Sequence, residues 1–332
     1  MSDIQLMLDN RNGKIQFPIL TDDITWKTER RGVPGQLTFT VIKDEALGFN
    51  EGDTVTLTVD GVKVFYGFVF TKSRDKQHHI KVTAYDQLRY LKNKDVITYK
   101  ELTCAELITK IASEYYLNVG ELADTGLKVS GDPDENGEPT HMIHDGDTLF
   151  DVIQTNLDQV VMEKQKMYVL YDDFGKLTLK DIESMGVPYL IDKDTIENFD
   201  YSTTIDDNVY NKVKITYENK DDAVREVYIA QDSANISQWG LLQYYESIDN
   251  SSLAKDKVNA LIELYNRRAR KLTVKGAIGD LRIRAGCYVP VNLYLGDIQA
   301  KNYLIVETVT HKWSKGHHTM DMNLIGGGGF IA

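Results

Sequence analysis

Long apolar runs are missing from this chain: none of its 332 residues lies in a stretch approaching the ~18 continuous apolar positions of a membrane-spanning helix. The opening "MSDIQLMLDNRNGK" has no apolar signal core, so export by the secretory route is not expected. Cysteine is scarce. Cys104 and Cys287 stand far apart, and without an export signal they read as small buried thiols, not as a disulfide. Positive charge is short as well: 38 Lys and Arg against 50 Asp and Glu leave a net charge of −12. That balance argues against gripping a phosphate backbone through a basic face. Catalytic signatures are missing too, with no Gly-x-Ser-x-Gly elbow, P-loop, dinucleotide fingerprint, Cys-x-x-Cys or His-Glu-x-x-His. The terminal "GGGG" follows a strand with no helix after it. Neither an enzyme nor a cofactor is expected.

What remains is ordinary globular composition, 42% hydrophobic with 6 prolines, long enough for two or three domains with their own cores. The first ~95 residues read as β. "TVTLTVDGVKVFYGFVF" alternates apolar and polar residues around Asp60-Gly61, a pair suited to a tight hairpin because both centres tolerate positive φ. "LTFTVI" and "HHIKVTAYD" add strands. Thr103 followed by Glu106 makes a capping box, and Leu107, Ile108, Ile111 and Tyr115 form a helical stripe behind it. A second helix is expected from about Thr148 to Val160, then a hairpin turning at Asp173-Phe174-Gly175. From about residue 201 the pattern returns to β, with a hairpin in "NKVKITYE" and "REVYIAQD". A long helix of about 252–271 interrupts it, and strands resume in "CYVPVNLYL", "NYLIVETVTHKW" and "TMDMNLIG". "EGDTVTLTVDG", "YGFVFTKS" and "HHIKVTA" parallel "AGCYVPVNLYLGD", "YLIVETVTHKW" and "HHTMDMNL". Either any two runs of antiparallel strands look this alike, or one β domain has been duplicated.

Several motifs invite function and yield to simpler readings. Gly146-Asp147-Thr148-Leu149 resembles the opening of a LysM wall-binding module, but the hairpin after the helix does not continue that module. Turn plus N-cap, with Asp147 or Thr148 accepting from free helix amides, accounts for the stretch. Asp132, Asp134, Asn136 and Gly137 copy half of an EF-hand, whose twelfth position should be Glu and here is Ile143. His141 and His144 would share a helix face, but on a strand that spacing points to opposite sides. The adjacent pairs His78-His79 and His317-His318 diverge likewise, so no metal is expected. The Asp pairs at 22–23, 172–173, 206–207 and 221–222 fall mostly beside turns, where aspartate serves the backbone.

Several stretches together resemble one family. They are "TAYDQLRYLKNKD", "YDDFGKLTLKDI", "NFDYSTTIDDNVYNKVKITYEN", "REVYIAQDSANISQWGLLQYYESID", "LYNRRARKLTVKGAIGDLRIRAGCYVPV" and "NYLIVETVTHKW", running from about residue 83 to 313. The family is the XkdQ-like proteins of contractile phage tails and PBSX-type defective prophages, related to the baseplate hub of large myophages. The resemblance implies an α+β, β-rich fold. Two tail-tube-like β-barrel domains, about 1–95 and 201–332, would flank a small mixed α/β middle region of about 96–200. It also implies a homotrimer adapting a six-fold tail tube to a three-fold spike. Its partners would be itself, the tail tube or a tube-initiator protein, the central spike and the wedge proteins of the baseplate. An acidic lumen wall would let DNA pass without sticking. Trp239, Tyr244 and Tyr245, an aromatic segment between strand and helix, are the interface candidates, with burial in the core as the alternative. Because the chain closes on "LIGGGGFIA", spike and wall-cutting functions are expected on other chains. The competing functions are a wall-binding or wall-degrading tail protein and a wedge adaptor.

Overall fold

Asp60 and Gly61 take φ of 50° and 76°, so the turn they form has the hand that suits the twist of its flanking strands. That hairpin sits within a run of seven strands, in a computed structural model that describes residues 3–21, 23–131, 133–206, 208–219, 224–248, 254–294 and 299–326. The strands are β1 (Ile4–Asp9), β2 (Ile15–Gln16), β3 (Ile24–Glu29), β4 (Gln36–Ile42), β5 (Thr54–Val59), β6 (Val62–Arg74) and β7 (His79–Tyr85). Their alternation puts Leu37, Phe39 and Val41 of β4, Val55 and Leu57 of β5 and Val82 of β7 into one core. The order is β3-β4-β7-β6-β5-β1-β2. The sheet curls, because just beyond β2 Leu20 bridges Val41 of β4, with Thr21 N–H donating to the Thr40 carbonyl and Ile42 N–H to that of Ile19, both at 3.0 Å.

Gly67 shows how tightly the layer is packed. A Cβ there would lie 2.3 Å from the Tyr85 carbonyl oxygen and 2.5 Å from the Phe65 ring. The carbonyl belongs to the neighbouring strand and cannot move without disturbing the pairing of β6 with β7. Gly67→Ala is therefore expected to lower stability by about 3 kcal/mol, the upper part of the usual overpacking range. Gly48→Ala, whose Cβ would meet only the Lys14 Nζ at 3.7 Å, should stay within about 0.5 kcal/mol of the unaltered chain. Urea midpoints of the two variants check this.

The middle of the chain is α/β. It comprises β8 (Lys94–Tyr99), α1 (Cys104–Glu114), β9 (Val119–Leu122), β10 (Met142–Thr148), α2 (Leu149–Lys164), β11 (Tyr168–Asp172) and β12 (Leu177–Asp181). Thr103 caps α1 through a capping box with Glu106, and the fully buried Leu107, Ile108 and Ile111 form its inner stripe. Thr148 caps α2 in the same way with Asp151. The β11–β12 turn runs through Phe174 and Gly175, at φ of 47° and 85°.

The remaining strands are β13 (Asn198–Thr204), β14 (Lys212–Asn219), β15 (Val224–Gln231), β16 (Gln243–Ile248), β17 (Ala269–Ile278), β18 (Tyr288–Tyr294), β19 (Gln299–Ser314) and β20 (His317–Gly326). Among them, β13, β17, β18, β19 and β20 repeat an arrangement already present. The order β13-β17-β20-β19-β18 matches β3-β4-β7-β6-β5 strand for strand. The details repeat too. Register shifts fall between Val69 and Thr71 on β6 and between Val306 and Thr308 on β19. Gly52, at φ 89°, donates to the Val69 carbonyl, and Gly286, at φ 93°, donates to that of Val306, each at 2.8 Å. The second arrangement also curls: residues 186–191 run beside β18 through bridges to Tyr288 and Val291, and just beyond them the Thr195 carbonyl accepts from Ile278 N–H of β17 at 3.0 Å. β19 pairs with β18 through its first half and with β3 from Thr308 to Trp313, so both repeats belong to one twelve-stranded sheet.

Between β13 and β17 the second repeat carries an addition where β3 and β4 are joined by a short turn. It consists of β14, β15 and β16, with α3 (Ser233–Trp239) and α4 (Ala254–Tyr265). Val258 and Leu261 of α4 pack on Val213 and Ile215. The helix expected over 252–271 is thus shorter at its C-terminal end. Residues 269–272 already belong to β17, where Leu272 and Val274 alternate into the core. Asn266 stops the helix by turning its side chain to Asp232 and Asn235, at 2.7 and 2.8 Å. Residues 251–253 lie outside the described residues. The fold is β-rich, 49% strand against 18% helix.

Candidate assembly site

Two buried polar clusters join the parts of the chain. The first lies where the repeats meet. Trp26 on β3 stacks on His311 of β19, with ring centroids 4.8 Å apart, and Trp313 stacks on His318 at 4.6 Å. His311 is fully buried. Its Nε2 lies 2.9 Å from the Ile283 carbonyl and its Nδ1 3.0 Å from His318 Nε2. A carbonyl can only accept, so Nε2 carries the proton, Nδ1 accepts, and His318 donates. Both positions on the neutral ring are thereby used. Burial, reinforced by the neighbouring His318, pulls His311 down to about 3. At the outer side of the same joint Arg30 and Glu307 pair at 2.6 Å.

The second cluster lies where both repeats meet the middle region. Asp86, just after β7, accepts from Gly35 N–H at 2.8 Å and from Leu88 N–H at 3.0 Å. Gly35 has to be glycine, since its Cβ would sit 2.4 Å from the carboxylate oxygen. Asp172 ends β11 and accepts from Gly175 N–H at 2.7 Å. Arg284, in the loop before β18, lies 3.6 Å over the Tyr171 ring and donates to the Asp172 carbonyl at 2.9 Å. Burial, with the Asp172 charge next, holds Asp86 well above the usual carboxylate range. Burial likewise pushes Asp172 up to about 7, opposed by bonds from Gly175 and Gln87 and by the Arg284 charge. The Asp172 Oδ2 and Arg284 Nε find no hydrogen-bond partner among the described residues.

The three aromatic residues singled out as interface candidates separate. Tyr244 faces inward on β16, its ring 5.5 Å from Tyr210 and 5.8 Å from Tyr265. Tyr245 points to the other face and is 56% exposed, its hydroxyl 3.0 Å from that of Thr216. Trp239 ends α3, half-buried, with the Arg268 guanidinium 5.9 Å from its ring centre. Of the three, only Tyr245 is exposed.

The histidines near 141 behave as strand residues. His141 is exposed, and His144 turns inward to Asp147 at 2.9 Å. Asp134 closes its own loop, accepting from Asn136 and Glu138 N–H at 2.9 Å, while Asp132 lies outside the described residues. Among the described residues no group of His, Cys, Asp and Glu is arranged to hold a metal. No described helix is long and apolar enough to cross a membrane. Sequence reasoning missed His311 and Arg284. A single His between alternating apolar residues, and an Arg beside "AGC", carry no local signal; only the assembled neighbours make them special.

Known proteins agree with this architecture. Residues 24–325 match the YqbQ-like family model. Phage-like element PBSX protein XkdQ of Bacillus subtilis is 25% identical over 316 residues, covering 92% of this chain and 93% of that one. A tail protein from Neisseria meningitidis superposes with a TM-score of 0.70 at 13% identity, over 98% of this chain and 97% of that chain. The c3393 protein of E. coli superposes at 0.55 with 11% identity, over 100% of this chain and 78% of that one. It is a component of the type VI secretion system with structural similarity to the T4 tail proteins gp27 and gp5. The fold is that of phage tail proteins, and the chain belongs to the YqbQ-like family.

Proposed function

We propose that this chain is the baseplate hub of a contractile tail, a homotrimer that adapts a six-fold tube to a three-fold spike. The observation that carries the reading is the repeated strand order, β3-β4-β7-β6-β5 and β13-β17-β20-β19-β18, in one polypeptide. Three copies of a chain with two like units present six, while the assembly keeps the three-fold symmetry that a spike requires. The contacts that bend each unit back on itself, Leu20 to Val41 in the first and Thr195 to Ile278 in the second, support reading both as tube-like barrels. In this scheme the units are about 1–95 and 201–332, the middle region is about 96–200, and the addition of 212–265 marks every second position in the ring. Its partners are the tail tube or a tube-initiator protein, the central spike and the wedge proteins, and its place is the tail particle.

Light scattering on the purified chain, alone and with its spike protein, tests the reading. About three 37.7 kDa chains in either condition is the expected mass. A monomer that ignores the spike would favour a wedge adaptor instead.

A further inference from the structure

The contact between the two repeats is itself a template for contact between copies. Within the chain, β19 of the second repeat lays the edge of its distal half, Thr308–Trp313, against β3 of the first. Each of these strands has a counterpart. β6 stands to the first repeat as β19 does to the second, and β13 stands to the second as β3 does to the first. Both counterparts have open edges. β13 ends the sheet, hydrogen-bonded only to β17 among the described strands. Past Val69, whose backbone still bonds to Gly52 and Asp53 on that side, β6 keeps its pairing to β7 and pairs with no other described strand. Thr71, Ser73 and Arg74 are exposed, as are Ser202 and Thr203.

We propose that the open edge of β6 in one copy pairs antiparallel with β13 of the next copy, as β19 pairs with β3 inside each chain. The inference rests on the assembly read above and adds which edges meet and in what register. Matching bulges and shared partners give the correspondence: Val69 answers to Val306 and Thr71 to Thr308. Trp26, opposite Leu37, answers to Tyr201, opposite Leu272. The internal pairs Thr308–Glu29, Thr310–Lys27 and His311–Trp26 then become Thr71–Thr204, Ser73–Ser202 and Arg74–Tyr201 between copies. The chemistry at these positions is compatible. The Arg30–Glu307 ion pair is replaced by Ile205 and Phe70, apolar against apolar. The His311–Trp26 stack is replaced by a guanidinium facing a phenol ring. Such pairing is head-to-tail, as a three-membered ring demands, and it covers edges that would otherwise invite indiscriminate strand addition.

Cysteines at Ser73 and Ser202 test the register, because residues directly opposite on paired strands lie about 4.5–5.5 Å apart at Cα, within reach of a disulfide. The natural Cys104 and Cys287 are buried and should not interfere. Under mild oxidation, alone and with the spike protein, Ser73→Cys/Ser202→Cys is expected to give a covalent ladder ending at three chains. Either single variant, and Ser73→Cys/Thr203→Cys, should stay at one chain. A three-chain mass for the unaltered protein with no ladder from the double variant overturns the edge pairing and leaves the trimer standing. A monomeric mass with no ladder overturns both. Linkage in a single variant overturns the head-to-tail geometry.

Discussion

Lowering the pH from 7 to 4 is expected to shift the stability of His311→Gln and Asp172→Asn in opposite directions relative to the unaltered protein. His311 is held at about 3 in the folded chain against an ordinary 6.5. Below pH 6.5 the unfolded chain takes a proton that the folded chain refuses, so this stability is complete above 6.5 and drains away toward 3. By pH 4 the loss is about 3 kcal/mol, at about 1.4 kcal/mol per unit. Asp172 has the reverse sign. Its folded value of about 7 lies above the ordinary 3.8, so stability rises as pH falls through 7 and is fully gained below 3.8, a gain of about 4 kcal/mol by the same conversion. The two oppose each other, and Asp86, which burial also holds above the usual carboxylate range, adds to the gain in all three proteins. Removing the histidine leaves the gain, and His311→Gln, with an amide that can still donate to the Ile283 carbonyl, should grow more stable in acid relative to the unaltered chain. Removing the carboxylate leaves the loss. Urea midpoints of the three proteins at pH 7, 5.5 and 4 measure both slopes; parallel curves would show that neither group carries the linkage.

Much of the fold could be read from residue order because its signals are local. Asp60-Gly61, the capping box at Thr103 and Glu106, and the alternation in "TVTLTV" each act within a few residues. The repeat leaves a trace in the sequence, though not a decisive one, for a related reason: Gly52 and Gly286 sit at the same bend before the same three strands, and the bend needs positive φ both times. β3 and β13 were harder, because "ITWKTE" and "NFDYSTT" are short and half polar, as strands are that lie at or between sheet edges. The end of α4 is not legible locally, because "RRARKLTV" continues a helical stripe through Ala269 and Leu272 just as well as it starts an alternating strand. The joints were beyond local reading altogether. Asp172 looks like any aspartate before a turn, which it is; its burial comes from Asp86 and Arg284, 86 and 112 residues away in the chain.

Arg284→Met should be among the most damaging single changes at neutral pH, costing about 3–5 kcal/mol, the usual range when one side of a buried charge group is removed. Methionine can fill much of the space over the Tyr171 ring, so lost volume is not the main effect. What is lost is the guanidinium beside Asp86 and Asp172, together with the bond to the Asp172 carbonyl that ties the loop before β18 to the end of β11. Two buried carboxyls would then face each other without a cation, and both would have to be protonated for the joint to close. The damage should therefore depend on pH, heaviest at pH 8 and much smaller at pH 5, where the carboxyls hold their protons. Arg284→Lys should not restore the loss, since an ammonium cannot lie flat on Tyr171 as the guanidinium does at 3.6 Å. Arg284→Met combined with Asp172→Asn should recover most of the pH 8 deficit, because it removes the repulsion while an amide can still accept from Gly175. A deficit equal at both pH values, and unchanged by that second substitution, would mean that Arg284 acts by packing alone.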